Sequence, residues 1–475
     1  MHTFRSFTNR GIEERRFLLG SIRKQHNLLL ISTLGIVQLL LYGHLRGLGD
    51  LRKVVPAFLL DYCLIFAAYI IVIILCRRQL NNGASPSHIA LLIFPLLFRI
   101  IMAVAQVALS TDIMRYMWDG MLLGNGIDPY RYVPSSPALL RFRSVYYYQA
   151  YDHKDEFTVY PPIAQYFFGA CYLLFGNSEF GFKSMAIVFD VLNALLIAMI
   201  IMRLRDRPQA YFGAALYLWN PLVVLEFSGS GHIDALAIFF SLLGVYFLSN
   251  SSASGSFVSL VSSSIAKWVT MPLAPLYVKY FMKREPKHVW KTIASVAIVL
   301  TVSLLPFYLT SRLGFMTSMI RFVSNWRFES ALSRLLAFVL APTSGELMVL
   351  KVISYTFFVG SYLITLFKNP VSSVEDVIEH SVLILSLLYL IMPAVYPWYG
   401  IWLLVYVSLL KNGFKMWVSI LFTGIVVVNY LQQFYQLSGV QFWAVYILWY
   451  IPVLFMLLSY LAHSSILKRL HGRSS

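Results

Sequence analysis

Residues 54–76 read VVPAFLLDYCLIFAAYIIVIILC and run directly into Arg77 and Arg78. A helix needs about 20 mostly apolar residues to cross a hydrocarbon core. This stretch is therefore long enough to span, and its basic end belongs on the cytoplasmic side. The same ruler predicts further spans near 27–45, 88–109, 182–203, 209–228, 232–249, 255–281 (a broken hairpin), 289–308, 345–367, 379–395, 398–411, 414–432 and 440–462. Counting the hairpin as two short helices gives roughly fourteen passes, within a range of about 12–14. The expected fold is all-α: a polytopic transmembrane bundle in which residues 1–475 form one integral membrane domain.

Composition agrees. The chain is 59% hydrophobic and 12% charged, with a mean hydropathy of +0.69. Soluble domains carry about twice that share of charge, so too little polar surface remains to coat a water-soluble globule. The net charge of +17 would suggest nucleic acid in a soluble protein. Here the basic residues sit between apolar runs, where they set topology and meet anionic membrane lipid. No nucleic-acid motif accompanies them. Cys63, Cys76 and Cys171 lack metal spacing and read as small core residues.

Residues 1–26 are polar and basic, and a spanning run follows without a small-x-small cleavage pattern. The expectation is a retained first span with a cytoplasmic N-terminus. An even number of passes places the C-terminus there as well, in agreement with Lys468, Arg469 and Arg473. Cytoplasmic turns would carry Arg203, Arg205 and Arg207, the group from Lys279 to Lys291, and Lys411 with Lys415. Two proposed outer segments break the charge rule: the turn 46–53, and the segment 309–344 with Arg312, Arg321, Arg327 and Arg334.

Two long outer connections stand apart, 110–181 and 309–344. Long connections of this kind are usually functional or disordered, and the first is too aromatic for disorder. Its segment 161–176 is apolar but short, and reads as a helix lying in the outer interface.

The densest polar cluster opens that loop: Ser110-Thr111-Asp112-Ile113-Met114-Arg115-Tyr116-Met117-Trp118-Asp119-Gly120. On a helix, Asp112, Arg115, Tyr116 and Asp119 fall on one face. A carboxylate there suits general-base work on a hydroxyl if water is partly excluded. The same spacing also describes an Arg115–Asp119 surface pair that solvates a helix end, and spacing alone leaves both open. A Gly-Pro turn follows, Gly124-Asn125-Gly126-Ile127-Asp128-Pro129-Tyr130-Arg131-Tyr132. Then Val159-Tyr160-Pro161-Pro162-Ile163-Ala164-Gln165 starts the interfacial helix, with proline in its first turn.

Other polar residues carry two readings each. Asp234 caps a helix or serves a site; His232, beside it, could meet a phosphate or a hydroxyl. Lys267 lies within an apolar hairpin, where an ionisable residue is costly and is by default a functional candidate. Its alternatives are a lipid phosphate partner or snorkelling to the interface. Arg327 and Arg334 suit bidentate phosphate contact or a solvated loop. Trp398 and Tyr399 suit sugar stacking or a membrane belt. Arg99 and Glu226, inside spans, call for buried partners.

The order acidic helix, Gly-Pro turn, Tyr-rich stretch and Tyr-Pro-Pro helix resembles the first outer loop of GT-C glycosyltransferases. These take a sugar from a polyprenyl or dolichyl phosphate. The resemblance extends through Trp219-Asn220-Pro221, Gly229-Ser230-Gly231-His232-Ile233-Asp234-Ala235, Lys267-Trp268…Pro272 and Tyr396-Pro397-Trp398-Tyr399, covering residues from about 110 to 400 of the chain. It is similar to the bacterial polyprenyl-phosphate-mannose-dependent α-mannosyltransferases and to the first mannosyltransferase of GPI-anchor assembly. One departure is that the acidic loop follows the third span, whereas many members place it after the first.

The resemblance implies an inverting, metal-independent hexosyltransferase, mannose favoured, that needs no cofactor beyond its polyprenyl-phosphate sugar donor. Its acceptor would be a lipid-linked or envelope glycan. The loop acid Asp112 would be the base, with Asp119 the second candidate. Lys267, Arg327, His232 and Arg334 would meet the donor phosphate. Arg115, Tyr116, Arg131, Tyr160, Asp234, Trp398 and Tyr399 would line the substrate site. The location implied is the outer face of a bacterial inner membrane, or else an endoplasmic reticulum membrane. A transporter or flippase for lipid-linked saccharides is the rival. Such folds often show internal repeats and a midplane site; no repeat is evident here, and the polar residues gather in outer loops.

Overall fold

The computed structural model describes residues 2–435, apart from 87–88, 107–108, 283, 285, 313, 315, 318–319, 321–345, 392–395 and 412, together with residue 454. Among the described residues every regular element is helical and no strand occurs.

In chain order the helices are α1 (His2–Gly47), α2 (Val55–Asn81), α3 (Ala90–Ala103), α4 (Asp112–Gly124), α5 (Tyr146–Ala150), α6 (Pro162–Phe175), α7 (Glu179–Leu204), α8 (Arg207–Leu218), α9 (Pro221–Val223), α10 (Asp234–Ser249), α11 (Ala253–Ser264), α12 (Ala274–Met282) and α13 (Val289–Ser311). After them come α14 (Glu346–Lys368), α15 (Val374–Ile391), α16 (Gly400–Ser408), α17 (Gly413–Ile425) and α18 (Asn429–Tyr435). By length and apolarity five helical segments can cross a membrane: Gln25–Gly47, Val55–Asn81, Glu179–Leu204, Val289–Ser311 and Gly413–Leu431. A sixth is the pair Arg207–Leu218 and Pro221–Gly229, bent by 54°. The chain is a multi-pass membrane protein.

The bend has a local cause. Trp219-Asn220-Pro221 interrupts the run, and the Asn220 side chain accepts from Leu222 N, capping the restart. Pro221 stands at the first position, where its missing N–H costs nothing. Beyond α9 the chain widens into a π-helical turn, Val224–Gly229. Proline also sits inside α3, which continues past it. Pro95 cannot donate to the Leu91 carbonyl, and Trp219 Nε1 donates to it instead at 3.0 Å. In a membrane such a freed carbonyl must find a partner inside the protein.

Helices α1, α2 and α3 pack together; α7 joins α8 and α10; α10 packs on α11, and α11 on α13. Helix α16 is buried along its whole length between α15, α17 and α8. A charged staple ties α3 to α7: buried Arg99 donates to Asp190 at 2.6 and 3.3 Å, and to the carbonyls of Pro95 and Leu218. Arg99 thus has the buried partner its position demanded.

The loop 110–181 is ordered around the crossing of α4 on α6. Gly120 and Gly124 form the contact face. A Cβ at Gly120 would lie 2.4 Å from the Phe168 carbonyl oxygen, and one at Gly124 2.4 Å from the Tyr172 ring. Small residues four apart let helices approach this closely. The hairpin expected over 255–281 is broken as anticipated, with a 3-10 turn, Trp268–Leu273, between α11 and α12.

Candidate active site

Asp112 opens α4, and its backbone N–H donates to Ser110 Oγ at 3.2 Å. Its side chain keeps 36% of its surface exposed, whereas those of Asp119, Asp234 and Glu226 keep none. His232 faces it, with Nδ1 3.8 Å from Asp112 Oδ2.

His232 belongs to the connection between the π-helical turn and α10. That connection passes close to α4 because of Gly231, whose φ is +70°. A Cβ at Gly231 would sit 2.7 Å from Ile113 Cδ1 and 3.4 Å from Lys183 Cγ, so both conformation and space require glycine. The His232 ring is fully buried and stacks on Trp398 with centroids 3.9 Å apart; Trp398 in turn stacks on Tyr396 at 4.6 Å.

Asp234 was a possible helix cap. The structure corrects that reading: the cap position of α10 is Ile233, and no side chain caps the helix. The Asp234 carboxylate instead accepts from Trp402 Nε1 at 2.8 Å and pairs with Lys267 Nζ at 2.5 Å. Lys267 also lies over the Tyr399 ring, 4.8 Å from its centroid. Its side chain is mostly buried and does not snorkel to solvent. Trp398 is likewise buried, stacked in the protein and not placed in a lipid-facing belt.

Tyr160 and Tyr116 complete this side. Their rings meet edge to face at 4.9 Å, and Tyr116 stacks on Phe168 of α6 at 4.5 Å. The Tyr160 carbonyl accepts from Tyr130 Oη at 2.6 Å, which pins the Tyr-Pro-Pro entry to α6. Burial, reinforced by the Asp112 charge, pushes the Tyr160 and Tyr396 phenols above their usual range. Both stay neutral hydroxyls beside that carboxylate.

Asp112, His232, Trp398, Tyr399, Lys267, Asp234, Tyr116 and Tyr160 therefore form one contiguous cluster. Arg115 and Asp119 are placed otherwise. They form a buried pair at 2.8 Å, and Asp119 also accepts from Gln165 Nε2 at 3.1 Å. Arg115 reaches on to Tyr151 Oη and the Glu156 carbonyl. This corrects the solvated surface pair: the pair is buried and binds the returning segment of the loop, at Tyr151 and Glu156, to α4. Arg131 is exposed, with its guanidinium over the Tyr132 ring. Arg327 and Arg334 lie outside the described residues, as do Arg321 and nearly all of the span near 440–462.

Two further groups, Glu226 and Trp402, touch the cluster. Glu226 stands 3.2 Å from His232 Nε2 and accepts from Tyr430 Oη at 2.6 Å. Its sign was visible, an acid inside an apolar run; its partner was not. Trp402, within an apolar run, carries no sequence signal of its own.

Chemically, the cluster offers one solvent-reachable carboxylate, a cation an aromatic ring away, and stacked aromatic faces. A family model described as "Alpha-(1->6)-mannopyranosyltransferase, N-terminal domain", of the MptA_B family, matches residues 40–283, just over half of the chain and all of the cluster except Trp398 and Tyr399. A search of curated proteins finds no match.

Proposed function

The chain belongs to the MptA_B family of alpha-(1->6)-mannopyranosyltransferases, and from that premise we propose that it transfers mannose from a polyprenyl-phosphate mannose to a hydroxyl of a lipid-linked or envelope glycan. Membership makes it a glycosyltransferase; donor, acceptor, α-(1→6) linkage and GT-C mechanism are our reading. The observation that carries the reading is the exposure of Asp112 among buried carboxylates, since a base must reach its substrate.

Asp112 takes the proton of the acceptor hydroxyl as the oxygen attacks the anomeric carbon. The bond from that carbon to the phosphate oxygen breaks, and its electron pair leaves on the lipid phosphate. Lys267 meets the charge that develops there; Arg327 and Arg334 are proposed to share the task. Asp119 supports the loop through Arg115. The stacked face of Tyr396 and Trp398, with Tyr399 across it, suits a sugar ring.

We place the cluster on the outer face of a bacterial inner membrane, with both termini cytoplasmic. Support comes from the helix directions. Helix α16 starts beside the cluster at Gly400 and ends where Arg205 donates to the Leu409 carbonyl. Arg77 meets Met416 at that same end. The basic turns thus gather opposite the cluster, as expected for a cytoplasmic side.

The test uses purified protein in liposomes with an envelope lipid extract, supplied with labelled polyprenyl-phosphate mannose or labelled nucleotide mannose. Label is expected to enter glycolipid from the lipid donor alone. Incorporation from the nucleotide sugar without lipid donor would overturn the donor assignment. No incorporation, with transbilayer movement of a lipid-linked saccharide, would replace the reading with a flippase.

A further inference from the structure

Behind Asp112 the structure holds a line of groups that transfer chemistry does not by itself require: Tyr430, Glu226 and His232. Tyr430 Oη donates to Glu226 Oε1 at 2.6 Å, which leaves Oε2 free to face His232 Nε2 at 3.2 Å. His232 Nδ1 faces Asp112 at 3.8 Å. Glu226 and His232 are fully buried, and among the described residues neither ring nitrogen nor Glu226 Oε2 makes a hydrogen bond: the approaches of 3.2 and 3.8 Å are close contacts that stop short of one. An acid and an imidazole at this depth are costly to hold.

The backbone is built to bring them together. Glu226 and His232 are six apart, a separation that puts side chains on different faces of an α-helix. The π-helical turn removes that mismatch: Ser230 N donates to the Leu225 carbonyl and His232 N to the Glu226 carbonyl, at 2.9 and 3.0 Å. Single π turns of this kind are frequent at functional sites. Gly231 then lets the chain pass within contact of Ile113, the neighbour of Asp112. Stacking on Trp398 fixes the ring plane.

We propose that Glu226 is a positioning residue that fixes which nitrogen of His232 carries the proton. The second ring nitrogen's partner sets the tautomer of a histidine. A small turn of the ring or carboxylate converts the 3.2 Å contact into an Nε2–H bond to Glu226 and leaves the Nδ1 lone pair facing Asp112. The proton that Asp112 removes from the acceptor hydroxyl passes to Nδ1, and Glu226 compensates the imidazolium charge. When the products leave, the proton returns to solvent through Asp112, the solvent-facing member. Closing 3.8 Å to hydrogen-bond distance needs a shift of about 1 Å, a tightening common on substrate binding. This path rests on Asp112 being the base of the proposed transfer.

Two measurements test it with Glu226→Gln. The first is solid-state 15N spectroscopy of histidine-labelled protein in lipid, with the His232 signal identified by its loss in His232→Gln. Nε2 is expected to be protonated and Nδ1 unprotonated in the native chain. In the variant the proton should move to Nδ1, because among the described residues Asp112 is then the carboxylate paired with the ring. A protonated Nδ1 in the native chain, or the same tautomer in both proteins, would overturn the assignment whether or not any transfer is detected. The second is steady-state transfer. Glu226→Gln should lower kcat at least about tenfold with donor and acceptor KM within about twofold, and Glu226→Asp should restore part of the loss. A native kcat in Glu226→Gln would overturn the proton path, while inactivity of the native chain would instead count against the transfer reading.

Discussion

Two helical turns separate Asp112 from Asp119, and the sequence gives them one face and similar chemistry. Packing separates them: Asp112 stays open, while Asp119 is closed off by Arg115 and Gln165. Removing one member of a buried pair leaves the other charge uncompensated, at a cost of roughly 3–5 kcal/mol. Asp119→Ala should therefore lower the thermal denaturation midpoint clearly in detergent, while Arg115→Leu combined with Asp119→Leu should recover most of it. Equal loss in the single and the double variant would show that the pair does not act as a unit. Position in the sequence identified both acids; their division of labour depended on Gln165, forty-six residues away, which no local pattern links to Asp119.

At the scale of elements, the site depends on how closely helices and loops approach. The α4–α6 crossing passes through Gly120, where an added methyl would meet the Phe168 carbonyl oxygen, a backbone atom that cannot rotate away. Forcing extra volume into such a contact costs about 1–3 kcal/mol. Gly120→Ala should thus destabilise the protein by that order and loosen Tyr116 and Tyr160, which reach the site through Phe168 and the start of α6. Unchanged denaturation and unchanged transfer would show that the crossing tolerates separation. Five of the expected spans, and a sixth as a bent pair, were legible because apolar length is a direct requirement of the bilayer. The π-helical turn was not, because its signature is a hydrogen-bond shift with no residue pattern of its own. Hence Glu226 was visible as an anomaly and its pairing with His232 was not.

At the scale of the molecule, several basic turns and the candidate site lie at opposite ends of the described helices. The basic turns around Arg77, Arg205 and Leu409 gather together, and the acidic and aromatic cluster forms at the far ends of α10, α11 and α16. Residues from the acidic loop, the Gly-His-Ile-Asp segment, Lys267 and the Pro-Trp-Tyr element lie up to nearly three hundred positions apart, yet meet through buried contacts. Their order along the chain supplied the family resemblance, and the fold supplies the proximity. The most direct test is mannose transfer from labelled polyprenyl-phosphate mannose in right-side-out sealed vesicles, comparing the native protein with Asp112→Asn at matched expression. The account predicts outward-facing product from the native protein and at least about a hundredfold less from the variant, the scale of losing a general base; near-native transfer by Asp112→Asn would contradict it.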